Sequence, residues 1–139
     1  MDDPYNLQRF IEAQEPVYAQ ACAELRQGQK TGHWMWFIFP QIRGLGSSET
    51  AQYFAISSRH EAIAYATHPV LGPRLRECAG LVARVGNKSL EQIFGYPDNL
   101  KFHSSMTLFA RTAEDNQVFL GALKKYFSGK LDPQTLARL

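Results

Sequence analysis

Hydrophobic positions recur along the chain at helical spacing. Leu7, Phe10, Ile11 and Gln14 fall at i, i+3, i+4 and i+7, which marks one face of a helix. Asp3 before Pro4 offers a cap and a first-turn proline to start it. Glu15-Pro16 interrupts the pattern. It resumes with Tyr18, Ala21, Cys22 and Leu25 on one face and stops at Gly28, a residue suited to left-handed helix ends. Ser47 or Ser48 caps a helix to about Ile56, and Ser58 with Glu61 reads as a capping box for a helix to about Thr67. His68-Pro69 opens what reads as the longest helix, to about Val85, on a stripe of Leu71, Leu75, Cys78, Val82 and Val85. Further helices are predicted from Ser89 to Gly95, from Pro97 to Arg111 and from Asn116 to Phe127, with a last turn or short helix from Asp132-Pro133. The one β-like run, Trp34 to Phe39, has no partner run of similar character. The pattern predicts an all-α fold, a compact single-domain bundle or array of about eight short helices over residues 1–139, with no sheet.

Three stretches depart from simple amphipathic patterning. In the first, Lys30 and His33 precede six large apolar residues, Trp34 to Phe39, which end in Pro40-Gln41. A helix that is hydrophobic all round is buried on most sides, so this run reads as core. Its ends read as the mouth of an aromatic-walled pocket carrying Lys30, His33, Trp34, Trp36 and Gln41, and the two readings are compatible. The second is Arg43-Gly44-Leu45-Gly46-Ser47-Ser48, directly before a helix. Its glycines allow tight turns and its amides and hydroxyls suit an anion, while a plain capping turn is the simpler reading. It lacks the Gly-Lys-Ser/Thr spacing of a P-loop. In the third, Lys101, Ser104 and Ser105 share a helix face with Leu108. That face is either a close-packed contact between helices or a polar pocket wall with Lys101 as its charge. Asp98 is the near carboxylate for Lys101, though it is placed as a cap. His103 points off this face, toward the surface.

Composition narrows the functional classes. Hydrophobic residues make up 45% and charged residues 20% of the 139, which suits a globule rather than a disordered chain. Fifteen basic against 13 acidic residues leave a net charge of +2, too little to point to nucleic acid. Cys22 and Cys78 read as small buried hydrophobes. The acidic, polar N-terminus lacks a signal-peptide pattern, and Trp34 to Pro40 is too short to span a membrane, so the cytoplasm is the expected location. The four histidines share no metal-ligand spacing with Cys or carboxylates, so neither a metal nor a cofactor is expected.

Several segments together resemble a known family. They are Asp3 to Phe10, Lys30 to Gln41 with its Trp-Met-Trp-Phe-Ile-Phe-Pro-Gln core, Gly44-Leu45-Gly46, His68 to Leu75, and Ser104 to Phe109. The chain is similar over nearly its whole length to DUF1810, a bacterial family of unknown function some of whose members carry a calpastatin label. The resemblance implies an all-helical fold and no particular activity. Calpastatin's inhibitory segments fold only on their target, whereas this composition is that of a globule. Two functions of different class remain. In one, an anionic, nucleotide-like or phosphorylated small molecule is bound, and possible turnover is left open, by Lys30, His33, Arg43, Gly46, Ser47, Lys101, Ser104 and Ser105, with Trp34 or Trp36 against a ring and Gln41 at the mouth. In the other, the protein is a non-enzymatic helical module that docks a protein partner. Membrane and nucleic-acid partners are not expected.

Overall fold

In the computed structural model, which describes residues 2–139, ten α-helices pack around one hydrophobic core. They are α1 Gln8–Gln14, α2 Tyr18–Gln27, α3 Met35–Ile38, α4 Glu49–Tyr53, α5 Arg59–Thr67, α6 Leu71–Arg84, α7 Leu90–Phe94, α8 Asp98–Thr112, α9 Gln117–Phe127 and α10 Pro133–Ala137. The all-α class holds. The count exceeds the expected eight because the last turn is itself a helix, α10, and the aromatic run holds a four-residue helix, α3, too short and too uniformly apolar to show a 3.6-residue period. Among the described residues the only β pairing is an isolated parallel bridge between Ile42 and Ile56. No helix there is long and apolar enough to cross a membrane.

The longest helix is α8, of 15 residues, rather than α6, of 14. Its residues Phe102 and Ser104 to Ala110 are all buried, so it must be covered on every side. The cover comes from α5, α7, α9 and α10. Ser104, Ser105 and Thr107 are small enough to admit close neighbours, and Phe102, Met106 and Phe109 fill the space between. Around this spine α6 packs against α2, α5 and α9, and α1 packs against α3.

Most helix ends follow from their residues. Gly28 ends α2 in the left-handed region at φ 76°, and Ser48, Ser58, Ser89 and Asp132 each accept a backbone amide as caps. Two ends differ from expectation for tertiary reasons. Asp3 does cap α1, but from a distance: its carboxylate accepts from the amides of Leu7 and Gln8, at 2.8 and 3.0 Å. The turn between is left out of the helix because Asn6 is in the left-handed region, at φ 51°, and the Arg9 guanidinium takes the carbonyls of Tyr5 and Asn6 that this turn exposes. At Ser58 only half of the box forms. Glu61 turns inward to Arg9 at 2.8 Å and to the amide and hydroxyl of Ser57.

The aromatic run divides its side chains. A single helical turn and the extended exit after it bury Trp34, Met35, Ile38, Phe39 and Pro40, and leave Trp36 and Phe37 half-buried. The turn is tied at both ends by buried polar groups. Glu24 accepts from the amides of Thr31 and Gly32 and from the Trp34 indole, at 2.8, 2.9 and 3.0 Å. Gln14 donates to the Phe37 carbonyl at 2.7 Å and to the Tyr65 hydroxyl at 3.1 Å. A Cβ on Gly32 would lie 2.8 Å from the Trp34 ring, so only glycine allows this approach.

Two outcomes follow. Trp34 is 1% exposed, so Trp34→Ala should cost about 3–5 kcal/mol in denaturant unfolding, and Trp36→Ala distinctly less; equal losses would show that the two rings are not partitioned. Burial acts to raise the Glu24 carboxyl, but its four hydrogen-bond donors outweigh that and hold it at about 2, against 4.5 unfolded. A depressed carboxyl stabilises the fold above its unfolded value and loses that contribution as pH falls. The stability difference between the parent and Glu24→Gln should therefore be constant above about pH 5 and shrink from there toward pH 2.

Candidate functional site

A cleft of about 480 Å³ opens between the segment that follows α3, the start of α8 and the start of α10. The segment after α3 contributes Gln41, Gly46 and Ser47 as a first wall, α8 contributes Lys101 and Ser104, the start of α10 is preceded by Asp132, and Trp36 of α3 also lines the cleft. The first wall is fixed by backbone geometry. The amide of Arg43 donates to the Ile56 carbonyl at 2.9 Å and that of Ile56 to the Gln41 carbonyl at 2.8 Å, which forms the bridge seen above. The chain then turns through Gly44, at φ 95°, where Arg138 donates to the carbonyl at 3.3 Å. A Cβ on Gly46 would lie 2.7 Å from that of Ala51, so the turn closes directly onto α4. Gln52 holds the Ser47 carbonyl at 2.8 Å. Among the described residues the amides of Gly46, Ser47 and Ser48 donate to no protein acceptor.

The charge of the cleft comes from three residues that meet behind Trp36. Lys30 lies 2.8 Å from Asp98 and Lys101 lies 3.5 Å from it, so the carboxylate is shared and one positive charge remains. Each ammonium also sits over an indole, Lys30 at 5.2 Å from the Trp34 ring and Lys101 at 5.1 Å from that of Trp36. The Lys30 side chain is 8% exposed and that of Lys101 26%. Lys30 therefore serves the interior, while Lys101 faces the cleft. Asp98 is not the cap expected of it: Pro97 occupies that position, no side chain caps α8, and the Asp98 carboxylate is instead taken by the two lysines, an outcome that gives Lys101 a structural partner.

At the far end, Asp132 caps α10 and draws in α8. Its Oδ2 accepts from the hydroxyls of Thr135 and Ser104, at 2.6 and 3.0 Å, and its amide donates to Thr107 at 2.9 Å. Burial works to raise this carboxyl, but the donors from Thr135, Ser104 and the Gln134 backbone, with His103 nearby, hold it below the usual carboxylate range. His103 is not a bare surface residue. It lines the cleft, stacks on Phe127 at 3.7 Å between ring centres, and directs Nε2 to the Lys130 carbonyl at 2.8 Å.

Of the residues the sequence singles out, Trp36, Gln41, Gly46, Ser47, Lys101 and Ser104 line this cleft. Five lie elsewhere. Lys30 is behind the wall in the ion pair, His33 and Arg43 are exposed, Trp34 is core, and Ser105 is fully buried in the interior with no partner for its hydroxyl among the described residues. Two residues apart on one helical turn, Trp34 and Trp36 point to opposite sides, and so do their attached groups. The sequence reading missed His103, Asp132 and Gln134. The Asp132-Pro133 pair signals a cap, but nothing local says that the cap reaches Ser104 on another helix.

Fold and cleft together define an all-α protein with a cleft lined by Trp36, the Gly46–Ser48 turn and Lys101. The chain belongs to the DUF1810 family, described as a protein of unknown function, whose model matches residues 4–139. It is similar to the conserved hypothetical protein Rv1873 from Mycobacterium tuberculosis, known from a crystal structure at 1.38 Å. The two are 57% identical, with a TM-score of 0.97 over 99% of this chain and 98% of that one. Comparison with curated proteins gave no match.

The two lysines should separate in their effects on stability. Lys30→Ala leaves Asp98 short of its nearer partner and opens the packing under Trp34, so it should cost about 1–3 kcal/mol. Lys101→Ala should cost less than about 1 kcal/mol, as for a partly exposed pair. Thermal melts of both variants at one ionic strength check the ranking, and the reverse order would mean that Lys101 is the structural partner.

Proposed function

We propose that the cleft binds an anionic small molecule, phosphorylated or nucleotide-like, with Lys101 as the principal charge. One observation carries the reading. Lys101 is the looser partner of a carboxylate already engaged by Lys30, and it stands over Trp36 at the wall of a cleft. A cation that is only partly satisfied favours a ligand anion. The uncommitted amides of Gly46 to Ser48 supply neutral donors in the same cleft, and its volume is in the range of small-molecule sites. Lys30, His33, Trp34, Arg43 and Ser105 are not given a direct contact in this reading.

A protein-docking role has its own supporting observation. Tyr96 is 73% exposed and Leu100 49% exposed, and Leu100 lies on the rim of the cleft. Two apolar side chains are few for an interface, which usually takes 20–30 residues a side, so the small-molecule reading is preferred.

The test is thermal denaturation in the presence of inorganic phosphate, pyrophosphate and a nucleoside monophosphate. Ligands that bind the folded state stabilise by about 2.7 kcal/mol at a hundred times the dissociation constant. At least one of the three should raise the melting temperature of the parent with the logarithm of its concentration, and should raise that of Lys101→Ala less. Equal shifts in both proteins, or none in either, would remove the anion site and leave the docking role.

A further inference from the structure

Both cysteines of the chain are buried thiols, and they meet each other. Cys22 stands on α2 and Cys78 on α6. The packing of these helices brings the Cys78 thiol within hydrogen-bonding reach of the Cys22 sulfur. Their settings differ. Cys78 is fully enclosed, at 0% exposure. Cys22, at 4%, borders a pair of surface side chains. Its Sγ lies 4.0 Å from Glu77 Oε1, and the same oxygen accepts the Tyr18 hydroxyl. Glu77 is exposed and Tyr18 partly so, so the Cys22 sulfur adjoins groups in contact with solvent. The hydrogen bond from Cys78 holds the Cys22 thiol below the usual thiol range against its burial, aided by Tyr18. The same contact, with burial, pushes Cys78 up. Of the two, Cys22 has the character of a nucleophile.

We propose that Cys22 and Cys78 form a reversible dithiol–disulfide pair, with Cys22 as the oxidised thiol, Cys78 as the resolving thiol and a hydroperoxide as the oxidant. The inference is independent of the anion cleft. In the first step the Cys22 proton passes to the Glu77 carboxylate toward which it is directed, and this neutralises the charge that opposes a thiolate there. The thiolate attacks the outer peroxide oxygen. An S–O bond forms as the O–O bond breaks, and the leaving alkoxide takes the proton from Glu77 to become an alcohol. In the second step the Cys78 sulfur attacks the Cys22 sulfenic acid. The S–S bond forms, the S–O bond breaks, and hydroxide leaves with the Cys78 proton as water. The two thiols lose two electrons, and one hydroperoxide becomes one alcohol and one water. The product staples α2 to α6, just before Glu24, which ties the aromatic run. A cross-link between residues far apart in sequence restricts the unfolded chain, so the oxidised form is the more stable.

The experiment treats the full-length protein with hydrogen peroxide at neutral pH, quenches it, counts thiols in denaturant and records the intact mass. The parent should lose both thiols together and two hydrogens in mass, and form no disulfide-linked dimer. It should melt several degrees higher and recover both thiols in dithiothreitol. Cys78→Ala should convert its remaining thiol to a sulfenic acid that dimedone traps, whereas Cys22→Ala should keep its thiol under the same conditions. Retention of both thiols by the parent, a sulfinic acid without a disulfide, or a bond formed only between two molecules overturns the pair. Oxidation of Cys22→Ala as fast as Cys78→Ala overturns the assignment of Cys22 as the nucleophile. The thiol count and mass of the parent need no variant, so they decide the pair even if an alanine form fails to fold.

Discussion

Arg9 saturates its guanidinium inside the protein, and the arrangement of the N-terminal half depends on it. Nε donates to the Tyr53 carbonyl, one terminal nitrogen to the carbonyls of Tyr5 and Asn6, and the other to the Ala55 carbonyl and to Glu61. All five N–H groups therefore have acceptors, which is what a buried guanidinium needs to offset its lost hydration. Four of the five acceptors are backbone carbonyls, so the residue defines the path of two irregular segments that no helix ladder could hold. One is the entry to α1. The other, residues 53–57, runs from α4 to α5 and supplies the partner of the Ile42 bridge. The cleft wall hangs from that bridge, so a charge remote from the cleft sets where Gly46 and Ser47 stand.

A second constraint acts from the other side of α3. Glu24 and Gln14 tie down the beginning and the end of a helical turn too short to be stable by itself. Fixing the turn fixes which aromatic faces inward. With Trp34 committed to Glu24, Trp36 must emerge on the opposite side, under Lys101. The same division assigns the lysines. The ammonium over Trp34, that of Lys30, is withdrawn into the interior and holds Asp98, while the one above Trp36 is left partly free. The cleft-facing charge is thus a consequence of core packing two residues away.

The periodic helices were legible in the sequence because each carries its own evidence: the stripe of α6, the glycine that ends α2, the Ser89 cap of α7. The aromatic run was legible as core but not as a single turn, since six large apolar residues give no period to read. Half of the cleft was legible for a similar reason. Trp36, Gln41, Gly46 and Ser47 lie in one short stretch, and the Lys101–Ser104 pair sits on one helix face. The rest depends on contacts between distant residues. Lys30 and Arg43 look as suitable for an anion as Lys101 does, and only the position of Asp98 and the direction of the Gly44 turn separate them. Ser105 follows Ser104 in sequence, yet a 100° step around α8 takes it from the cleft wall into the interior.

His103 shows how context turns an unremarkable residue into a defined chemical group. By helical geometry it lies off the face of Lys101 and Ser104, and on an isolated helix it would be solvated. The end of α9 and the turn that leads from it toward α10 change that, because Phe127 gives its ring a plane to stack on and the Lys130 carbonyl takes one of its nitrogens. Both contacts come from the segment that delivers Asp132 to the N-terminus of α10. The same stretch of chain therefore orients the imidazole and places the carboxylate. It does so through contacts on the inner side, where the Lys130 carbonyl accepts from His103 Nε2 and Asp132 Oδ2 accepts from the Ser104 and Thr135 hydroxyls. The side of the cleft nearest α10 is thus set by one connection, which holds His103 and Asp132 through contacts, those to Phe127, Lys130 and Ser104, that neither residue's own helix supplies.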